Sequence, residues 1–104
     1  MNLSEYQSAA TKTILPACHN LPYMALGAAN EAGEIAGKAK KLIRDGDTDA
    51  RRLELLKEVG DTLWYLAGLC TVMGVSLDEV AQQNISKLAD RAARGKLQGD
   101  GDNR

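Results

Sequence analysis

The stretch Lys57–Cys70, KEVGDTLWYLAGLC, constrains the fold more than any other. From Thr62 onward it is almost wholly apolar, so it belongs in a core or an interface. Glu58 and Asp61 stand at its entrance, three residues apart. At that spacing two side chains share one helix face, with about 5–6 Å between Cβ atoms. Charges set against apolar surroundings are costly unless they are paired or bound to metal. The stretch therefore asks for a helix, a second apolar surface to lie against it and a counter-charge for its two carboxylates.

No segment alternates apolar and polar residues over strand length, whereas helical spacing and helix stop signals recur. A first helix is expected from Ser4 to about Ile14, with Ser4 and Gln7 as a capping box and Pro16 just beyond its end. A second runs from about Leu21 to Ile43, with Ala28, Ala32, Ile35, Ala39 and Leu42 as its apolar stripe and RDGD as its end. A third runs from about Asp49 to Met73 and stops at Gly74. A fourth starts at Ser76, with Glu79 completing another capping box. Its stripe is Leu77, Val80, Ala81, Ile85 and Leu88, and it fades near Gly95. The expected fold class is all-α: a four-helix bundle-like protomer in one domain, residues 1–95, followed by a polar tail, residues 96–104. That tail, ending GDGDNR, has little to bury and reads as loose chain. Its Asp100 and Asp102 resemble the opening of a calcium loop, but the distant Glu of such a loop is missing.

With 104 residues the chain suits a single core. Four helices of this size bury a marginal one, and Trp64, Leu69, Val72 and Met73 are more apolar surface than one protomer covers. The small residues Ala25, Ala28, Ala29, Ala32, Gly33, Ala36 and Ala39 also let another helix come close. Assembly into a homodimer or homotetramer is expected. A net charge of −1 argues against a nucleic-acid polymer or an anionic membrane as partner. No stretch reaches the roughly 18 apolar residues of a membrane span, and MNLSEYQ lacks the basic and apolar regions of a signal peptide. The two cysteines, Cys18 and Cys70, show no metal-ligand spacing; Cys70 reads as a small buried hydrophobe. A reduced, cytoplasmic setting is expected.

The second helix carries a carboxylate pair of its own. In NEAGEIAGKAKK, Glu31 and Glu34 are again three residues apart. A short connection makes the second and third helices antiparallel, and the two pairs are nearly equidistant from a turn near Gly46. All four carboxylates are thus expected to face one another. Such a set needs positive charge among it, and hard oxygen donors select magnesium, manganese or calcium. A di-iron site would want Glu-x-x-His on its helices, and the single histidine, His19, precedes the second helix. Magnesium, which commonly joins protein carboxylates to substrate phosphates, is the natural candidate, with manganese as a substitute. The plainer reading of single residues is surface pairing, Glu34 with Lys38 or Lys57 with Asp61.

NEAGEIAGKAKK followed by ELLKEVGDTLWYLA resembles the paired signature of the MazG-like, all-α nucleoside triphosphate pyrophosphohydrolases, E-E-x-x-E then E-x-x-D. Glu31 and Glu34 match its second and third acidic positions, Glu58 and Asp61 its last two, and Asn30 replaces the first. EYQSAATKT and NISKLADRAARGKLQGDGDNR are also similar to segments of small members. The resemblance implies magnesium-dependent hydrolysis of nucleoside triphosphates, deoxynucleotides included, to the monophosphate and pyrophosphate. It implies Glu31, Glu34, Glu58 and Asp61 as metal ligands and catalytic residues, with Glu31 or Glu34 also activating water. Asn84, Lys87 and Arg91 share one face of the fourth helix and resemble the family's polar C-terminal positions, which assigns them to the phosphates. Lys38, with Lys41, is a further phosphate-binding candidate. Trp64 and Tyr65 are available to stack on a base but read more simply as core or interface. Two other readings stay open: a catalytically silent helical oligomer serving as an interaction module, and a phosphohydrolase acting on a different nucleotide. The matched carboxylate pairs favour the enzyme.

Overall fold

A computed structural model describes residues 1–104; its regular elements are all helices, with no strands. Helix α1 (Leu3–Thr11) leads through a short 3-10 turn (Pro16–Cys18) to α2 (Leu21–Asp45), α3 (Asp49–Val72) and α4 (Leu77–Ala93). Side-chain caps explain most of the starts. Asn20 Oδ1 accepts from the Tyr23 amide at 2.8 Å, Thr48 Oγ1 from Arg51 at 3.2 Å, and Ser76 Oγ from Asp78 and Glu79 at 3.1 and 3.4 Å. Each cap of this type stabilises its helix by about 1 kcal/mol. Gly74, at φ +70°, ends α3 in the left-handed region that favours glycine.

The expected cap of the first helix is corrected. Asn2, not Ser4, begins α1: its Oδ1 accepts from the Glu5 amide at 2.8 Å, and its Nδ2 donates to Glu5 Oε1 at 2.8 Å. Gln7 is then free for a different task. Its Nε2 donates to Thr71 Oγ1 (3.2 Å) and to the Val75 carbonyl (3.0 Å), while its Oε1 accepts from the Leu77 amide (2.8 Å). One side chain on α1 thereby fastens the end of α3 to the start of α4. The helix also stops at Thr11, earlier than Ile14.

Helices α2 and α3 form an antiparallel hairpin through Gly46–Thr48. Its register is visible in three contacts. Met24 lies over Gly68, Tyr65 lies over Gly27, and Glu31 reaches Asp61, so each step along α2 is matched by an equal step back along α3. A Cβ on Gly27 or Gly68 would run into Tyr65 or Met24, so these two glycines set how closely the helices approach. Ala10, Ala67, Cys70 and Leu77 make the small core, with Leu3, Tyr6, Leu63 and Trp64 packed on it. Cys70 is buried and free, and burial pushes its thiol pKa up, as suits a core residue.

Two expectations about packing change. Helix α4 does not lie along the others: it leaves α3 at 102°, packing on α1 and α3 alone among the principal helix contacts. The apolar surplus also lies elsewhere. Trp64 is anchored, its Nε1 donating to Thr13 Oγ1 at 2.8 Å, and Leu69 and Val72 are half-buried, leaving Met73 60% exposed. The open apolar surface is instead on the hairpin, with Leu53 and Leu56 60% and 58% exposed beside Ile43 and Val59, and on α4, with Val80, Ile85 and Leu88. Only 7 of 104 residues are buried: Ala28, Ile35, Ala39 and Leu42 of the α2 stripe are half-buried, while Val80, Ile85 and Leu88 of the α4 stripe stay exposed. No single helix is long and apolar enough to cross a membrane.

The tail is corrected too. Arg104 donates to the carbonyls of Lys96 (3.2 Å), Leu97 (3.1 Å) and Gly101 (2.7 Å), and Arg94 donates to the Arg104 carbonyl (2.7 Å). Arginine forks, not apolar contacts, fold residues 96–104 into a loop against the end of α4.

Candidate metal and active site

The hairpin register puts Glu31 of α2 beside Glu58 and Asp61 of α3. One carboxylate oxygen from each lies within 4.8 Å of one from each of the others. Glu31 and Glu58 are half-buried and Asp61 is exposed, so the cluster opens to solvent on one side. Glu34 stands outside the three and is exposed. Both α3 residues of the pair face the seam, whereas on α2 the seam takes Glu31 and leaves Glu34 at its rim.

The electrostatics follow from the geometry. Burial pushes the Glu31 carboxyl above the usual carboxylate range, and hydrogen bonding to Glu58 with the nearby charges of Asp61, Glu58 and Glu34 pushes it further. Tyr6, reaching over from α1, has its hydroxyl pKa raised by burial and by the charge of Asp61. No cation of the chain relieves this crowding. Lys57, the surface mate that i, i+4 spacing offers Asp61, pairs with Glu54 at 3.0 Å instead. The donor set fits a hard divalent cation: oxygen ligands only, close enough to share one ion and repelling one another without it.

Lys38 lies on the α2 face of Glu31, two turns further on. With Lys41, Arg51 and Glu54 it lines a pocket of about 190 Å³ in which cations outnumber the single acid. Arg51 is an addition that helical spacing on one helix does not reveal, because it joins the lysines only across the hairpin. On α4, Asn84 and Lys87 line an open groove of about 290 Å³ with Val80 and Gln83. Arg91 is 5% exposed and is engaged by the tail. Helix α4 departs nearly at right angles from the end of α3, and no hydrogen bond or ion pair joins these three residues to the carboxylates. The aromatic residues serve packing: Trp64 and Tyr65 meet edge to face at 4.9 Å, and Tyr65 also faces Tyr23 at 6.1 Å.

No solved structure matches the chain. It is similar to the Gene 37 protein of Mycobacterium phage L5, at 41% identity over 114 residues covering 100% of both chains. The sequence profile described as the MazG nucleotide pyrophosphohydrolase domain matches residues 21–95, which takes in α2, α3 and α4. The matched span holds the whole carboxylate cluster. The chain belongs to the MazG nucleotide pyrophosphohydrolase domain family.

Proposed function

We propose that the chain hydrolyses nucleoside triphosphates, deoxynucleotides included, to the monophosphate and pyrophosphate, with magnesium held by Glu31, Glu58 and Asp61 and manganese able to replace it. The observation that carries this reading is the convergence of those three carboxylates inside the span matched by the family. An interaction module alone gains nothing from crowding three acids at a helix seam, since like charges there oppose folding. Magnesium bound there supplies positive charge for the triphosphate and a more acidic bound water.

The chain's own residues divide the remaining work. Glu34, one turn from Glu31 and outside the cluster, is the carboxylate left to orient the attacking water and take its proton. Lys38 and Lys41 lie seven and ten residues beyond Glu31, which along a helix is roughly 10–15 Å. That exceeds the span of a triphosphate alone, so it is the long lysine side chains, reaching back along the helix, that we assign to phosphates beyond the cluster. Asn84, Lys87 and Arg91 supply further donors. They meet the carboxylates in a homodimer or homotetramer that also covers the open apolar faces of the hairpin and α4.

A panel of ribonucleoside and deoxynucleoside triphosphates, incubated with magnesium and read by product identity, tests the proposal. Monophosphate with equimolar pyrophosphate supports it. Diphosphate with inorganic phosphate, or turnover only of a diphosphate substrate, overturns the bond assignment.

A further inference from the structure

The tail offers an acid where the proposed function places a phosphate. Arg91 Nη2 donates to the Asp102 carbonyl at 2.6 Å and lies 3.7 Å from the Asp102 carboxylate. Lys87 Nζ donates to the same carboxylate at 3.3 Å. The guanidinium is buried, with its side chain 6% exposed, so it needs a partner in the folded chain. Asp102 is that partner, yet its own side chain is 87% exposed. A single exposed carboxylate bridging two cations is weakly held. A di- or triphosphate brings more charge and more acceptor oxygens to the same two donors.

We propose that Asp102 is an intramolecular stand-in for a substrate phosphate, and that the tail is a strap which triphosphate displaces from Lys87 and Arg91. The inference rests on the reading of those two residues as phosphate ligands. The strap has the parts it needs. Arg104 gathers residues 96–101 into a loop through three carbonyls, so Asp102 is presented rather than left free. The Asn84–Lys87 groove beside it is open to an incoming ligand. Asp100, two residues earlier and exposed, makes no ion pair with either cation, so it serves as the charge control.

The test uses the full chain in excess magnesium, with inorganic tripolyphosphate as probe. Titration calorimetry gives affinities for the parent, Asp102→Asn, Asp100→Asn and Lys87→Gln, and hydrogen exchange follows the amides of residues 96–104. Asp102→Asn is expected to bind about twofold to fivefold more tightly than the parent, the range set by losing the charge of one exposed carboxylate from its pairing with Lys87 and Arg91. Asp100→Asn is expected to stay at the parent value, and the parent's tail amides to exchange faster at saturation. Weaker or unchanged binding by Asp102→Asn overturns the strap, as does a tail whose protection is the same with and without probe. An equal gain in Asp100→Asn overturns it as well, since the effect is then bulk charge. If Lys87→Gln binds less tightly while Asp102→Asn does not change, only the strap fails. If Lys87→Gln binds like the parent, the phosphate reading fails and the strap with it.

Discussion

Glu31 on α2 and Glu58 on α3, on antiparallel helices, each bring a carboxylate oxygen within 4.8 Å of the other, and an oxygen of Asp61 lies within the same limit of both. The repulsion in this group has a measurable sign. The Glu31 carboxyl is pushed up by burial first and by its acidic neighbours next. The folded chain therefore binds that proton more tightly than the unfolded one. Its contribution to stability is present at acid pH and is lost as pH rises through the raised pKa. Exposed acids beside cations, such as Asp47 and Glu54, shift the other way. Comparing parent with Glu31→Gln cancels them. In metal-free buffer the variant is expected to melt higher than the parent at pH 7, with the gap closing as pH falls through the acid range. Magnesium should raise the parent's Tm and leave the variant's nearly unmoved. A variant that melts lower at neutral pH would contradict the crowded-acid account.

Gln7 should behave as a structural clamp. Replacing it with Ala leaves the Leu77 amide without its acceptor and removes both donors to the α3 end. A buried group left unsatisfied costs about 1–3 kcal/mol. Urea unfolding of Gln7→Ala is expected to report a loss in that range, with kcat per folded protein preserved. An unchanged midpoint would mean the clamp is not formed in solution.

Gly68 is a close-approach position. Gly68→Ala would place a Cβ against Met24, whose side chain is fully buried and has little room to move. Overpacking of this kind costs about 1–3 kcal/mol. Met24→Ala alone opens a cavity and is itself destabilising, but combined with Gly68→Ala it should cost less than the sum of the two single changes, since the clash is with that side chain. Additive destabilisation in the double variant would place the strain elsewhere.

The uncovered hairpin predicts association. Sedimentation of the parent at micromolar concentration should give a dimer or tetramer. Leu56→Glu, on the open α3 face, should shift it toward smaller species and lower its Tm. A parent that sediments as a folded monomer would remove this part of the account.

The hairpin and its acids were legible because they depend on local pattern. Gly46 and its neighbours fix the turn, and matched distances from it bring α2 and α3 acids together. Which acid of the α2 pair faces the seam was not legible, because Glu31 and Glu34 differ by a fraction of a turn that only the helix crossing decides. The direction of α4 was hidden for a similar reason. Ser76 announces its start, but its angle is held by a side chain far away in sequence, Gln7. The ordering of the tail was hidden as well. Arg104 and Arg91 bind main-chain carbonyls, which every residue carries and no residue pattern marks.

The central claim is that Glu31, Glu58 and Asp61 hold the metal that supports pyrophosphate release, and Asp61→Asn tests it most directly. The change keeps side-chain size and removes one negative charge. The measurement pairs thermal unfolding without metal with pyrophosphate release in magnesium. The account predicts a Tm equal to or above the parent's, because one of the crowded charges is gone. It also predicts an activity loss larger than the ~10–100-fold typical of disturbing a group that merely supports a metal ligand. A variant that unfolds earlier yet releases pyrophosphate at the parent rate would show Asp61 to be a structural residue and would contradict the claim.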